Sequence, residues 1–515
     1  MHTIDPQSWK QDLPAFRAKT AAFYAGEIDK AAYKGFSGLY GSYAQKGGKA
    51  SMLRLRMPAG RVTKEKLAFV ASVIREHSVP RAHFTTCQTI QFHDLQPDPL
   101  CDIMEKALDA GIVTMGGGGD FPRNVMCSPL AGVEQGEYFD VLPWAEAAGE
   151  YLMGFIKAEK MPRKLKVAFS STPENLTHAT YRDLGFAARP DGTFDVYSAG
   201  GLGNNPRFGV KVAEAVAPEK ILYYIKAMWL TFRAYGNYEN RGKARTRYMQ
   251  EVCGGPEGYA KAFREKLQEV LDSGEDLDLS VTPRAVHKAG DGVVVGGPRV
   301  IAQKQEGLYA VAWHPIGGQP ALDTLCALSD ALADIPEAEM RLGPDQTAFL
   351  INLTGGEAQK ILALTADGAE SIFECSVSCI GGQTCQVGTR DSQGLLSACV
   401  AAVRAAELPD GALPRIHISG CPSSCGTHQT GVMGFRGASK LVDGKPQAAF
   451  TFFLGGDPRQ GREAMGRELG VMLEEDVPAF LVELGKAAAA SGMDFEAWRQ
   501  AEPEAVERIA AAYLA

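Results

Sequence analysis

The hydrophobic positions after residue 50 alternate in a way that predicts a β-α-β unit. Met52 to Met57 alternates apolar with charged residues, as a half-buried strand does. Pro58 to Gly60 supplies turn residues, and Lys64 to His77 has the spacing of an amphipathic helix. A second strand is predicted from Ala82 to Leu95. The chain thus begins a mixed α/β body after a polar N-terminal segment.

The same plan returns after residue 305. Gly307 to His314 is predicted as a strand, Pro315 to Gly318 as a turn, Ala321 to Ala333 as a helix and Thr347 to Leu353 as a strand. This order repeats the earlier unit, so we expect an internal duplication. Helices are also predicted at Phe139 to Lys160, at Pro218 to Tyr235 and in the alanine-rich segment from Arg459.

A second repeat is visible residue by residue. Lys166 to Leu176 aligns without gaps with Arg415 to Cys425, 249 residues further along. In the first copy Thr172 and Leu176 stand where the second copy has cysteines. A long repeat with two copies predicts a pseudo-twofold enzyme with a central crevice and not a solenoid, which needs three or more units.

Composition narrows the class of protein. The 515 residues are 45% hydrophobic with a net charge of −8, which suits a globular protein of two or three domains and disfavours a nucleic-acid surface. No run of eighteen apolar residues predicts a membrane span. Eleven cysteines without a signal peptide indicate reduced thiols and metal chemistry. We therefore expect a cytoplasmic protein.

Four cysteines form two pairs, Cys379 with Cys385 and Cys421 with Cys425. Thiolates are soft ligands suited to iron-sulfur clusters or zinc. Zinc sites usually bring in a pair with two to four residues between the thiols, so the five-residue gap favours a cluster. A structural zinc site or a sensor cluster in a regulatory protein stays open as an alternative. Packing is the expected role of the other cysteines, Cys87, Cys101, Cys127, Cys253, Cys326, Cys375 and Cys399.

The pattern Cys-x5-Cys, a long spacer and Gly-Cys-Pro-x-x-Cys resembles the siroheme and 4Fe-4S signature of the sulfite and nitrite reductase family. The resemblance implies that Cys379, Cys385, Cys421 and Cys425 bind the cluster and that Cys425 bridges it to the siroheme iron. It also implies an α+β fold, in which ferredoxin-like half-domains and two mixed α/β domains surround a central cofactor in a pseudo-twofold arrangement.

The resemblance and the repeats together predict five segments. An N-terminal arm covers residues 1–47, and the first ferredoxin-like half-domain covers 48–118. The first siroheme-binding α/β domain covers 119–300, and the second half-domain covers 301–365. The cluster and siroheme α/β domain, with a helical C-terminus, covers 366–515.

Basic residues are expected around siroheme because the macrocycle carries many carboxylates, and unpaired buried charge is costly. Four short basic motifs follow one another as the family resemblance leads us to expect. By resemblance, the substrate side of the siroheme is lined by Arg54, Arg123, Lys164 and Lys166. The predicted cofactor-binding residues are Gln91, His93, Arg163, Arg241, Arg245 and Cys425.

One position departs from the pattern of the family. Many relatives have Thr-x-Arg-Gln before a strand, whereas this chain has Thr85-Thr86-Cys87-Gln88. A siroheme carboxylate has then lost one arginine partner, and we expect Cys87 to sit beside the macrocycle without a role.

The resemblance implies six-electron reduction of sulfite to sulfide or of nitrite to ammonia. Lys164-Leu-Lys166 resembles the sulfite enzymes, whereas Cys379-Ile-Gly381 is closer to the nitrite enzymes. The lysine pair favours sulfite, with nitrite as the alternative. A biosynthetic relative acting on a corrinoid precursor is a third possibility. No flavin or nicotinamide motif is evident, so we expect electrons from a ferredoxin or a separate reductase subunit.

Overall fold

The computed structural model describes residues 5–158 and 160–514. Parts of the predicted arm (residues 1–4), of the predicted helix to Lys160 (residue 159) and of the last segment (residue 515) lie outside the described residues. The described strands, β1 to β19, are Ser42–Ala44, Ser51–Leu55, Arg61–Val62, Arg81–Phe84, Ile90–Leu95, Met126–Cys127, Val167–Ser170, Leu184–Ala188, Phe194–Ser198, Val210–Val216, Val300–Ala302, Tyr309–Trp313, Glu339–Leu342, Ala348–Leu353, Val377–Ser378, Ile416–Ser419, Met433–Val442, Lys445–Leu454 and Arg467–Leu473.

The helices carry the apolar faces that cover these strands. Within the described residues α1 to α14 are Leu13–Tyr24, Lys30–Ser37, Lys64–His77, Pro97–Asp109, Leu142–Met153, Ile221–Tyr235, Met249–Val252, Pro256–Asp272, Leu322–Ala333, Gly355–Leu364, Ser392–Ala405, Val477–Ala490, Phe495–Ala501 and Ala505–Ala510. The C-terminal segment that was predicted as helical also contains the strand β19, which pairs with β18.

Two ferredoxin-like halves have the same order of elements. The first half runs β2, α3, β4, β5, α4 and the second runs β12, α9, β13, β14, α10, and each element starts 258 residues after its counterpart. Helix α3 packs against α9, and β3 of the first half pairs with β13 of the second. The duplication predicted from the hydrophobic pattern is therefore confirmed.

The predicted strand from Ala82 to Leu95 is wrong in one respect, because it is a hairpin. Strands β4 and β5 run antiparallel, and residues 85–89 form the turn between them. The Thr85 hydroxyl accepts the backbone N–H groups of Cys87 at 3.3 Å and Thr89 at 3.2 Å. Such a hydroxyl-stabilised turn needs no Gly or Pro, so the sequence offered no turn signal there.

The two mixed sheets are also copies of each other. One has the strand order β6-β7-β8-β9-β10 and the other has β15-β16-β17-β18-β19, with parallel pairs followed by antiparallel ones in both. Asn175 and Ser424, 249 residues apart, both have positive φ, of 50° and 52°. A Cβ on Gly185 would overlap the carbonyl of Ala179, just as a Cβ on Gly434 would overlap that of His428. These matching details confirm the 249-residue repeat.

The chain forms two compact units. The first comprises residues 1–201, 205–313 and 320–366, and its described part contains the two ferredoxin-like halves and the sheet β6 to β10. The second comprises residues 202–204, 314–319 and 367–515, and its described part contains the sheet β15 to β19 with α11 to α14. The finer division into five segments stays a prediction. Across the described ranges, no helix is both long and apolar enough to cross a membrane.

Candidate active site

One face of the first ferredoxin-like sheet is polar. Arg54 of β2 lies opposite Gln91 of β5, and Gln91 lies opposite His83 of β4. Directly opposed residues in antiparallel strands share a face, and alternate residues of one strand do as well, so His93 belongs to the same row. The other face carries the apolar residues, such as Leu53, that pack in the core with α3 and α4. The sheet therefore presents a row of polar side chains opposite its helices.

Arg54 and Arg123 converge on a single carbonyl. Arg123 Nη1 donates to Gly117 O at 2.6 Å, and Arg54 Nη1 donates to the same oxygen. Neither guanidinium pairs with a carboxylate in the described part of the chain. Burial and then the charge of Arg54 lower the pKa of Arg123 to about 10. A carbonyl carries no net charge, so the positive charge of the two guanidiniums is not neutralised and can attract an anion.

A third arginine, Arg56, lies next to Arg54 and Arg123 and was not predicted as a site residue. Arg56 is buried and donates to Pro122 O at 2.9 Å and Arg123 O at 3.2 Å. Burial, together with the charges of Arg123 and Arg54, lowers its pKa to about 9. Its place two residues after Arg54 on an alternating strand was the available signal, because such residues share a face.

The segment that bears the two lysines pairs with the segment that bears Arg123. Arg123 N donates to Leu165 O at 2.8 Å, and Pro122 forms a parallel bridge with Leu165. Lys164 and Lys166 flank Leu165 and are half-buried. The backbone N–H of Lys166 is held by Asp183 Oδ2 at 2.8 Å. Backbone pairing thus places Lys164 and Lys166 on the segment adjacent to Arg123.

Cys87 meets the lysine directly. Lys166 Nζ donates to Cys87 Sγ at 3.2 Å. Burial alone would raise the pKa of this thiol, but the charges of Lys166 and Arg182 and the hydrogen bond from Lys166 lower it to about 6, with a smaller contribution from Arg54. The contact with Lys166 therefore favours the thiolate form of Cys87.

Gln91 and His93 lie deeper than the arginines. Both side chains are buried, and Gln91 Nε2 is 3.6 Å from Met52 Sδ. His93 Nδ1 lies 3.2 Å from Gln45 Oε1, and burial holds the pKa of His93 well below its ordinary value. His93 Nε2 is buried without a hydrogen-bond partner among the described residues. A cofactor role for both residues stays a prediction.

The remaining predicted arginines are paired with carboxylates of the chain. Asp120 accepts from Arg163 Nη1 at 2.7 Å and from Arg241 Nη1 at 2.6 Å. Arg245 Nη2 donates to the fully buried Asp183 at 3.0 Å. These three arginines are thus held differently from Arg54 and Arg123, and their charges are largely compensated. Binding of siroheme carboxylates by them stays a prediction.

In the second ferredoxin-like half, three positions of this face hold apolar residues. Ala312, Phe349 and Ile351 stand 258 residues after Arg54, Gln91 and His93. Phe349 and Ile351 are buried in an apolar cluster whose other members include Leu130 and Val133. These apolar side chains fill the corresponding space in the described part of the second half, and Arg341, the counterpart of His83, is paired with Glu339.

The four predicted cluster cysteines belong to the second unit. Cys379, Cys385 and Cys421 are half-buried, Cys425 is exposed, and none of the four forms a disulfide bond within the described residues. Cys379 Sγ accepts the backbone N–H of Gly420 at 3.2 Å and contacts Ser392 Oγ at 3.1 Å. Donors directed at a sulfur are the contacts that tune a thiolate ligand of an iron-sulfur cluster.

Glycines bring the two cysteine-bearing loops together. Thr389 N and Arg390 N both donate to Gly420 O, at 3.1 and 2.9 Å. A Cβ on Gly382 would lie 2.9 Å from Arg390 O, and Gly381 has a φ of 76°. This close approach of bare backbone joins the loop after Cys379 to the loop that precedes Cys421.

Among residues 5–158 and 160–514, no three His, Cys, Asp or Glu side chains converge on one point as they would on a single metal ion. The thiolates around a polynuclear cluster stand farther apart than those around one zinc ion, because the cluster is wider. The soft donor set, the sulfur-directed N–H group and the glycine contacts fit a cluster.

Comparison with known proteins agrees with these features. A model of the nitrite and sulphite reductase 4Fe-4S domain matches residues 118–271, and one of the nitrite/sulfite reductase ferredoxin-like half domain matches residues 43–110. The chain belongs to the nitrite and sulfite reductase family. Siroheme and a 4Fe-4S cluster are the cofactors of this family, and therefore of this protein. The first match covers the copy of the repeat that lacks the cysteine pairs, so it leaves the ligand assignment as a prediction.

Relatives in the family have moderate sequence identity. A ferredoxin–nitrite reductase of Synechococcus elongatus is 27% identical over 460 residues, which cover 84% of this chain and 85% of the relative. A chloroplastic ferredoxin–nitrite reductase of Zea mays is 28% identical over 433 residues, covering 79% and 73%. A ferredoxin sulfite reductase of Mycolicibacterium paratuberculosis is 25% identical over 434 residues, covering 81% and 75%.

A solved structure has the same fold along nearly the whole chain. The NirA protein of Mycobacterium tuberculosis superposes with a TM-score of 0.74 at 23% identity, covering 94% of this chain and 93% of that one. The predicted α+β fold with ferredoxin-like half-domains is therefore confirmed.

Proposed function

We propose that this protein catalyses the six-electron reduction of nitrite to ammonia, with electrons from a ferredoxin-type donor. The observation that carries the proposal is the pair of guanidiniums of Arg54 and Arg123, which share one carbonyl and have no carboxylate partner in the described part of the chain. A bound oxyanion would balance the positive charge of these two guanidiniums. The names of the Synechococcus and maize relatives support nitrite and ferredoxin.

Different residues of the chain are assigned to the anion and to the cofactors. Arg54, Arg123, Lys164 and Lys166 bind and orient the anion, and the two lysines hold protons for the oxygens that leave. Cys379, Cys385, Cys421 and Cys425 would hold the cluster. When bound, siroheme would supply the redox-active iron centre, and the cluster would supply single electrons. Gln91, His93, Arg163, Arg241 and Arg245 are assigned to the surroundings of the cofactor.

Sulfite is the second candidate substrate. The Lys164-Leu-Lys166 pattern supports it, and one relative is a sulfite reductase. The thiolate beside Lys166 argues for nitrite, because it lowers the positive charge available to a doubly charged anion.

The test uses anaerobically purified holoenzyme. We expect siroheme absorption in the visible spectrum and turnover of nitrite with a reduced dye. Arg54→Gln should lower kcat/KM for nitrite by about a hundredfold, because a preorganised charge is lost. Arg17→Gln, which changes an exposed arginine paired with Asp102, should leave kcat/KM unchanged. A colourless protein, or a coloured one that reduces neither nitrite nor sulfite, would reject the proposal.

A further inference from the structure

Cys87 occupies a fixed position beside Lys166. Its turn is closed by a hydrogen bond from Thr85 N to Thr89 O at 3.0 Å. Asn124 Nδ2 donates to Cys87 O at 3.1 Å, so the turn is tied to the residue that follows Arg123. The neighbouring Gln88 is completely buried. The backbone at Cys87 is therefore held from both sides, and the thiol has little freedom to leave Lys166.

The Cys87 thiol is in direct contact with the ammonium group of Lys166. Lys166 Nζ lies 3.2 Å from Cys87 Sγ. The charges of Lys166, Arg182 and Arg54 all act on the thiol, and Cys87 acts on Arg123 in turn. The Cys87 residue as a whole is half-buried. An ion pair between thiolate and ammonium lowers the net positive charge on the substrate side by one.

We propose that Cys87 is a specificity-determining residue that, as a thiolate paired with Lys166, favours a monoanionic substrate over a dianionic one. This inference rests on the proposed function, since it assumes that the anion binds beside Lys166. Above neutral pH nitrite carries one negative charge and sulfite carries two. A fixed negative charge repels a dianion with twice the energy with which it repels a monoanion. The factor by which it weakens binding of the dianion is therefore the square of the factor for the monoanion.

Kinetics at mildly alkaline pH provide the first test. Loss of the charge in Cys87→Ser should lower KM for nitrite about threefold and KM for sulfite about tenfold. Cys87→Asp keeps a negative charge and should keep the wild-type ratio of the two KM values. Cys253→Ser, which changes a half-buried thiol outside the site, serves as the matched control. Equal changes of both KM values in Cys87→Ser, or Cys87→Asp behaving like Cys87→Ser, would overturn the proposal.

A second measurement does not depend on turnover. Iodoacetamide alkylation of Cys87 in the holoenzyme is followed by mass spectrometry as a function of pH. The rate should rise with a midpoint at about 6 in the wild type, and Lys166→Gln should move this midpoint towards the ordinary thiol value of about 8.5. A midpoint that Lys166→Gln leaves unchanged, or a Cys87 no more reactive than Cys253 at any pH, would overturn the proposal.

The two failures can be told apart. A holoenzyme that reduces neither anion rejects the proposed function, whatever the reactivity of Cys87. A holoenzyme that reduces nitrite, with a KM ratio that does not respond to the charge at position 87, keeps the proposed function and rejects this inference.

Discussion

Gln88 and Gln346, which stand 258 residues apart, each donate a hydrogen bond into the other half of the duplicated fold. Gln88 Nε2 donates to Leu342 O at 2.6 Å, and Gln346 Nε2 donates to Phe84 O at 3.1 Å. The two acceptors are themselves 258 residues apart. Both glutamines are fully buried and have positive φ, of 54° and 72°. The two halves are thus joined by a reciprocal pair of hydrogen bonds that obeys the pseudo-twofold relation.

Removing the Gln88 side chain should destabilise the protein. Gln88 also donates to Cys127 O at 2.7 Å and accepts from Cys127 N at 2.9 Å. Gln88→Ala leaves these buried backbone groups without partners, so we expect a loss of about 3 kcal/mol in the free energy of unfolding. Urea unfolding followed by tryptophan fluorescence measures it. The exposed Gln268→Ala should change stability by no more than about 0.5 kcal/mol. A Gln88→Ala variant as stable as this control would show that the hydrogen bonds of Gln88 do not stabilise the fold.

The glycines of the 249-residue repeat should be equally intolerant of a methyl group. Ala at Gly185 or Gly434 would overlap the carbonyl of residue 179 or 428. We expect each substitution to lower the thermal unfolding midpoint by several degrees, because packed backbone cannot move aside at little cost. Gly35→Ala is the control. It lies in α2 with open space around it, so it should stabilise the helix by about 0.5–1 kcal/mol. Similar midpoints for all three variants would refute the equivalence.

How far the sequence predicts this fold depends on whether a feature is local. Strand β2 and helix α3 were predictable because their hydrophobic periods are complete within a few residues. The hairpin at residues 85–89 was not, because hydroxyl contacts replace the usual turn residues. The apolar filling of the second half depends on Leu130 and Val133, about 200 residues away in the chain from Phe349 and Ile351. No local pattern predicts such a contact.

In the candidate site, too, local motifs could be predicted from the sequence and contacts between distant segments could not. The cysteine pairs and Arg54, Arg123, Lys164 and Lys166 could be predicted as candidates because their motifs and their order are visible in the sequence, and their roles stay predictions. The ion pair of Cys87 with Lys166 was not, since it joins segments 79 residues apart. Sequence reasoning therefore assigned Cys87 to an inert position.

Asp183 should make stability depend on pH in the acid range. Burial would raise the pKa of Asp183, but the charge of Arg245 and hydrogen bonds from Thr246 and Arg245 lower it. A carboxyl whose pKa is lowered on folding stabilises the protein above its ordinary pKa of about 4, and this contribution is lost as pH falls through the lower folded value.

Asp183→Asn tests this sign. At neutral pH it leaves the half-buried Arg245 without its carboxylate, at an expected cost of about 3 kcal/mol. The difference from wild type should shrink as pH falls below about 4, in urea unfolding at a series of pH values. Glu269→Gln, which removes a surface pair with Lys266, should show neither effect. A difference independent of pH would mean that the charge of Asp183 is not what stabilises the fold.

The assignment of Cys425 as a ligand is tested against a thiol of the same unit. Cys399 is fully buried in the apolar core around α11, and burial raises its pKa, as expected of a packing residue. Cys425 is exposed and follows Ser424, which has a φ of 52°. We expect Cys425→Ser to lose iron, acid-labile sulfide and visible absorption. Cys399→Ser should keep all three and lose only stability, by about 1–3 kcal/mol, because a hydroxyl enters an apolar core. Equal cofactor content in the two variants would show that the ligand assignment is wrong.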